Sequence, residues 1–156
     1  MNTTVASGMY AIASAEVDGD GNVWITDLIL HVARKFDRTG KVLLTIGTPG
    51  EAGADDKHLF LPTDIAIAPS GDVFISDGYG NNRIVHCDAS GKFINSWGSM
   101  GVKEGEFSLP HSICSLKGVT PARDWTMSRI ARACPRGPCT CTSRTRKSSS
   151  RLWCAR

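Results

Sequence analysis

The feature that most constrains this chain is an internal repeat of about 50 residues. Residues 21–27, Gly-Asn-Val-Trp-Ile-Thr-Asp, return as residues 71–77, Gly-Asp-Val-Phe-Ile-Ser-Asp. The pair Ile46-Gly47 returns as Trp97-Gly98, and Leu61-Pro62 returns as Leu109-Pro110. Because these landmarks keep their order, the chain uses one structural unit at least twice.

Each unit has the pattern of four short β-strands joined by tight turns. Runs of Val, Ile and aromatic residues are separated by pairs such as Asp20-Gly21 and Ser70-Gly71, which tolerate positive φ at hairpins. We expect strands after the Leu-Pro element, through residues 23–25 or 73–75, through 33–36 or 83–87, and before Gly47 or Gly98. Gly or Asp interrupts the chain too often for long helices.

A four-stranded unit of this length is typical of one blade of a β-propeller. Propellers close a ring with roughly four to eight blades. The sequence therefore predicts an all-β fold that is a partial β-propeller of about two to two and a half blades. We expect residues 1–16 to be the remnant of a preceding blade, residues 17–115 to be the blades, and residues 116–156 to be an unstructured tail.

The expected tail differs sharply in charge from the blades. Residues 1–115 carry a net charge of −6, whereas residues 116–156 carry +9 and are rich in Arg, Cys and Ser. Such a segment has too little apolar periodicity for a packed core. One hypothesis is that the tail is an out-of-frame translation or a truncation, and this reading predicts no binding of nucleic acid. The alternative is a genuine basic tail for an acidic partner or nucleic acid.

The sequence contains no membrane or export signal that we recognise. A run of about 18 apolar residues is absent, so no membrane span is expected. Residues 1–16 lack the positive start and long apolar centre of a secretory signal. The sequence leaves the localisation open.

Two features of the sequence are candidates for metal binding. Residues 18–22, Asp-Gly-Asp-Gly-Asn, look like the start of a calcium-binding EF-hand loop, but Ile29 stands where that loop needs a bidentate Glu. We therefore predict a hairpin turn there. His31 is the last residue of the loop in the first unit, and His111, in an incomplete third unit, stands where the preceding unit has Thr63.

The four histidines of the chain have two interpretations. Histidines of adjacent units can converge on one channel and bind zinc as neutral imidazoles, which is a role open to His31 and His111. The alternative is that isolated histidines are surface or turn residues, and we assign His58 and His86 to this class.

Several segments together resemble one known family. These are residues 20–37, 61–66, 76–85, 90–93 and 105–112, which include Asp-Gly-Tyr-Gly-Asn-Asn-Arg-Ile and Leu-Pro-His-Ser. In this order they resemble the peptidyl-α-hydroxyglycine α-amidating lyases, the NHL-repeat enzymes that complete peptide C-terminal amidation. The resemblance extends over residues 17–115.

The resemblance implies a fold, a reaction and site residues. It implies an NHL-type propeller, with six blades in the complete ring, that cleaves a peptide ending in α-hydroxyglycine to a peptide amide and glyoxylate. By the same resemblance, His31 and His111 would bind zinc and Tyr79 would be the base. A structural calcium would bind backbone carbonyls near Ala33.

The chain also departs from the family pattern. The family's third zinc histidine lies downstream, and no histidine follows His111. The substrate-binding arginines, one in an Asp-Arg-Glu-Asn-like segment, have no counterpart here. We therefore expect a truncated lyase-like protein with little or no activity as given. The alternative is a non-enzymatic propeller scaffold that binds a protein or ligand, because propellers host many unrelated functions.

Overall fold

The computed structural model describes residues 11–114 and the strand backbone of Cys154–Ala155. Its main elements are two antiparallel sheets of four strands each, both in the order of the sequence. The first sheet contains β1 (Ile12–Val17), β2 (Val23–Asp27), β3 (Val32–Phe36) and β4 (Val42–Ile46). The second contains β5 (Asp64–Ile67), β6 (Val73–Asp77), β7 (Arg83–Cys87) and β8 (Phe93–Trp97).

Three short elements complete the described structure. Helix α1 (Gly78–Asn81) lies between β6 and β7. Strand β9 (Ile113–Cys114) pairs with β10 (Cys154–Ala155). The all-β prediction is thereby confirmed, and the predicted strands of both units form.

The repeat in the sequence is a repeat in strand register. Val23 pairs with Phe36 in the first sheet, and Val73 pairs with Cys87 in the second. Each sheet also has an irregularity at the same place, after Lys35 in the first and after His86 in the second. The two sheets are therefore successive copies of one blade, as in a β-propeller.

The core lies between the two blades. Trp24, Ala33 and Ile46 of the first blade pack in one buried cluster with residues of the second, which are Leu59, Ile65, Val73, Ile75, Val85 and Cys87. A second cluster joins Phe74 and Ile84 to Ile113 of β9. Because strand residues alternate between faces, each blade buries one face against its neighbour. Burial also raises the pKa of the Cys87 thiol to about 11, with a smaller contribution from Asp88.

The first strand of each blade contacts the first strand of the next. Strand β1 contacts β5, and β5 contacts β9. Strand β1 also pairs with β2 over its whole length. The boundary expected at residue 17 therefore falls at the end of β1, and residues 12–16 belong to the first blade's own sheet.

The tail prediction for residues 116–156 lies almost entirely outside the described residues. In the part of the chain that the structure describes, no helix is both long and apolar enough to span a membrane.

Candidate active site

The candidate site is built around the loop that follows β6. Strand β6 ends at Asp77, whose side chain is fully buried, and the chain then makes the single helical turn of α1. Tyr79 is the second residue of this turn and is 40% exposed. Its backbone N–H donates to the Leu61 carbonyl at 3.4 Å, where Leu28 of the first blade donates to Ala11. A phenol thus stands where the first blade has an aliphatic side chain.

Tyr79 and His111 contact each other through their rings. The two ring centroids are 5.5 Å apart and the planes are inclined by 69°, which is an edge-to-face arrangement. His111 is exposed. Two residues singled out from the sequence, 32 positions apart, therefore meet at one end of the second blade.

The backbone before His111 is held by two buried hydroxyls. Thr63 Oγ1 and Ser76 Oγ each donate to the Pro110 carbonyl at 2.8 Å. The same carbonyl lies against Gly78, where an added Cβ would be 1.8 Å from the oxygen. Only glycine allows this approach, so Gly78 brings the chain of Tyr79 next to that of His111.

His31 occupies the corresponding loop of the first blade. Its backbone has φ of +57°, and its Nδ1 accepts a hydrogen bond from the Leu61 N–H at 3.3 Å. Its ring meets Phe60 edge to face, with centroids 5.5 Å apart. Leu61 therefore bonds to His31 through its N–H and to Tyr79 through its carbonyl, and this links both loops.

The described residues do not form a zinc site by themselves. No group of three or more His, Cys, Asp and Glu side chains in residues 11–114 could hold a metal. In a neutral imidazole whose Nδ1 accepts a hydrogen bond, Nε2 carries the proton and has no lone pair for a metal. A histidine that binds zinc through one ring nitrogen donates the proton of its second ring nitrogen to a carboxylate, a carbonyl or water, so neither nitrogen accepts a hydrogen bond. Zinc binding by His31 and His111 stays a prediction.

Ala33 is fully buried in β3, which pairs with strands on both sides. The carbonyls of such a strand are directed at its neighbours. Calcium at Ala33 also stays a prediction.

A buried ion pair that the sequence did not reveal supports the loop. Arg83 Nε donates to Asp77 Oδ2 at 2.9 Å, and both side chains are less than 10% exposed. Burial raises the pKa of the Asp77 carboxyl, against hydrogen bonds from Asn81, Phe60 and Arg83 that lower it. The pair therefore fixes the end of β6 beside Tyr79.

Arg83 also holds the segment between the blades. Its guanidinium donates to the carbonyls of Ala54, Asp55 and His58, and the bonds to the last two are 3.1 and 2.9 Å long. Asp27 of the first blade matches Asp77 in the repeat, but the first blade has Val32 where the second has Arg83. The sequence signal for this ion pair is therefore the difference between Val32 in one copy and Arg83 in the other.

The other two histidines have different environments. His58 lies in the inter-blade loop, where its Nδ1 is 2.7 Å from Asp55 Oδ1. Hydrogen bonding to Asp55 is the main cause that raises the His58 pKa. His86 was assigned to surface or turn residues, and this was wrong. It is 8% exposed in β7, stacks on Phe74 and contacts Asp72, because its ring face is apolar enough to pack in the core.

The fold and this geometry define a class of protein. The NHL repeat family matches residues 61–87. A solved structure of a Bacteroides thetaiotaomicron protein of unknown function superposes with a TM-score of 0.54 at 19% identity, over 61% of this chain and 27% of that one. The chain therefore contains an NHL repeat within consecutive blades of the β-propeller type.

Comparison with curated proteins narrows the relationship. Peptidyl-glycine alpha-amidating monooxygenase of Mus musculus is 46% identical over 111 residues, which are 67% of this chain and 11% of that protein. Peptidyl-alpha-hydroxyglycine alpha-amidating lyase 2 of Drosophila melanogaster is 47% identical over 81 residues, 51% of this chain and 20% of that protein. The resemblance to the amidating lyases is confirmed, and the chain spans a fifth or less of either relative.

Proposed function

We propose that this protein is a peptidyl-α-hydroxyglycine lyase-like protein that acts on peptides ending in α-hydroxyglycine. The single structural observation that carries the proposal is the edge contact between the rings of Tyr79 and His111. Support comes from the names of the relatives, which include amidating lyases at 34% to 47% identity. The loop end of the second blade would then receive the peptide's C-terminus.

The proposed reaction needs one proton removed and one supplied. The proton leaves the α-hydroxyl, the C–O bond becomes the carbonyl of glyoxylate, and the bond from the α-carbon to the amide nitrogen breaks with its electrons on nitrogen. That nitrogen then takes a proton and becomes the primary amide. Tyr79, which is 40% exposed, would have to be a phenolate at this step, and it would then take the hydroxyl proton as the general base.

The described residues orient this phenol in two ways. The Tyr79 N–H donates to the Leu61 carbonyl, and the Tyr79 and His111 rings meet in an edge-to-face arrangement. Such positioning stabilises a productive geometry before the substrate arrives. The proposal uses no step through zinc, since the described donor set does not form a zinc site.

We further propose that the blades described here hold only part of the catalytic groups. His31 and His111 are two histidines where three zinc ligands are implied by the family, and the family's arginines have no counterpart in the sequence. We propose as well that the complete ring has six blades and that it binds zinc and calcium, with ligands that lie partly outside the blades described here. We expect the chain to be much slower than a full-length lyase.

Glyoxylate release from a peptidyl-α-hydroxyglycine tests the proposal. We expect slow release by the chain and a loss of about 100-fold or more in Tyr79→Phe, because a general base contributes roughly 10²- to 10⁴-fold. The control is His58→Ala, which changes a histidine of the inter-blade loop. The absence of any release above the uncatalysed rate would contradict the proposal.

A second function is favoured by one specific observation. Nδ1 of His31 accepts a hydrogen bond from the Leu61 N–H at 3.3 Å, so this histidine has a structural role that does not need a metal. A non-enzymatic NHL-repeat scaffold that binds a protein or ligand is therefore the alternative. Zinc analysis of the purified chain beside a His31→Ala, His111→Ala double variant separates the two. Histidine-dependent zinc favours the lyase, and zinc-free protein without glyoxylate release favours the scaffold.

A further inference from the structure

Hydrogen bonds hold the chain both before and after His111. The bonds after His111 are accepted by Asp64. Asp64 Oδ2 accepts hydrogen bonds from Ser112 Oγ at 2.8 Å and from the Ile113 N–H at 2.9 Å. These donors are the two residues that follow His111. Together with the hydroxyls on the Pro110 carbonyl, they leave His111 as the residue between two fixed points.

The other oxygen of Asp64 accepts hydrogen bonds on the side of the first blade. Oδ1 accepts from Ser14 Oγ of β1 and from the Ile65 N–H at 2.9 Å. Ser14, Asp64 and Ser112 have matched positions in β1, in β5 and just before β9. One carboxylate thus joins the first strands of three successive units, with one oxygen for each neighbour.

We propose that Asp64 is a positioning residue for His111, and that it acts through Ser112 and the Ile113 N–H to hold the imidazole against Tyr79. The inference rests on the proposed function for its catalytic consequence. A charged acceptor makes stronger hydrogen bonds than a neutral one, so the attachment restrains the segment more than an amide would. Asp64 itself contacts neither ring in any bond described above.

The geometry separates this role from general support of the fold. Ser112 reaches the oxygen on the side of His111, and Ser14 reaches the oxygen on the side of the first blade. Ser112→Ala and Ser14→Ala each remove one hydroxyl from the same carboxylate. Only the first should disturb the contact between His111 and Tyr79.

The test follows the histidine ring protons by NMR in the whole chain, which has four histidines. Tyr79→Leu, which copies Leu28 of the first blade, identifies the His111 resonance by removing the ring current. We expect Ser112→Ala to shift this resonance toward its position in Tyr79→Leu, and Ser14→Ala to leave it in place. Ser112→Thr, which restores a hydroxyl, should return it toward the wild-type position.

Two results would overturn the inference. One is an unchanged His111 resonance in Ser112→Ala, and the other is an equal shift in Ser14→Ala. If Ser112→Ala does not fold, Asp64→Asn is read in the same way, because it keeps only one acceptor oxygen.

Kinetics supply the readout that depends on the proposed function. In Ser112→Ala we expect kcat to fall about 10-fold or more with KM unchanged, because small displacements of catalytic groups cost rate rather than binding. A wild-type chain without lyase activity would contradict the proposed function and leave the NMR result to judge the role of Asp64.

Discussion

His31 and Asn82 have the same place in successive blades. Both have left-handed backbone, with φ of +57° and +52°. Each side chain accepts a hydrogen bond from the N–H of the following Leu-Pro element, from Leu61 to His31 at 3.3 Å and from Leu109 to Asn82 at 2.8 Å. The carbonyls of both residues also lie close to a glycine, Gly47 or Gly98. His31 therefore has a structural role that an Asn performs one blade later.

This equivalence predicts the outcome of two substitutions at His31. His31→Asn should keep stability within about 0.5 kcal/mol, because Asn tolerates the left-handed region and supplies an acceptor. His31→Ala should cost about 1–3 kcal/mol, because the Leu61 N–H loses its partner. Urea denaturation of both variants measures this. Equal losses in the two variants would show that the imidazole itself is required.

Gly78→Ala should disrupt the contact between Tyr79 and His111. The new Cβ would be 1.8 Å from the Pro110 carbonyl oxygen, so one of the two segments must move. We expect a loss of about 3 kcal/mol or more, in the range of severe steric substitutions. The matched control is Gly19→Ala, where a Cβ would meet nothing within 4 Å. Thermal unfolding of both variants measures the difference, and similar melting temperatures would contradict it.

Arg83→Met should release the segment between the blades. The buried Asp77 carboxylate would lose its ionic partner, at a cost of about 3–5 kcal/mol. The carbonyls of Asp55 and His58 would lose their donor as well. Limited trypsin digestion should then cut faster after Lys57, which is exposed in this segment. Arg38→Met, at an exposed turn, should leave the rate at Lys57 unchanged.

The loss of folding stability at acidic pH should depend on Asp18. Burial raises the pKa of this carboxyl, but hydrogen bonds from Lys35, Asn22 and Trp24 outweigh burial and hold the pKa well below its ordinary value of 3.8. A pKa that is lower in the folded chain stabilises the fold above the ordinary pKa, and this stabilisation is lost as the pH falls through the folded pKa.

Asp18→Asn should therefore lower stability near neutral pH and weaken the dependence of stability on pH below about 4. Urea denaturation of wild type and variant between neutral and acidic pH measures both effects. Asp56→Asn, an exposed carboxylate between the blades, serves as the control. Parallel curves for Asp18→Asn and wild type would contradict the prediction.

Much of the fold could be predicted because its information is local. The turn residues recur at fixed intervals, so the strands from Val23 to Trp97 were placed without knowledge of contacts. Residues 12–16 of the first strand, Ile12–Val17, are not recognisable as part of the first blade from the sequence, because the first copy has no Leu-Pro element to mark its start. His86 was misplaced because a histidine in a strand gives no sign of which ring face packs.

Three residues of the candidate site were predictable from the sequence, but their arrangement and the residues that support them were not. Tyr79, His31 and His111 were visible as differences between matched positions and through the family resemblance. Asp64 and Ser112 were missed, although both stand at one register of the repeat. These two residues are joined by a hydrogen bond between neighbouring units, and they lie 48 residues apart in the chain. No local pattern in the sequence encodes such a bond.

The sequence by itself determined the repeating unit, its strands and turns, and which residues differ between the copies. Short-range hydrogen bonds and side-chain alternation cause these features, and both follow from neighbouring residues. Only the tertiary structure decided that Tyr79 meets His111, that Nδ1 of His31 is an acceptor, and that Asp64 joins three units. These depend on how one blade packs against the next, since packing sets the distances between residues that are far apart in the chain.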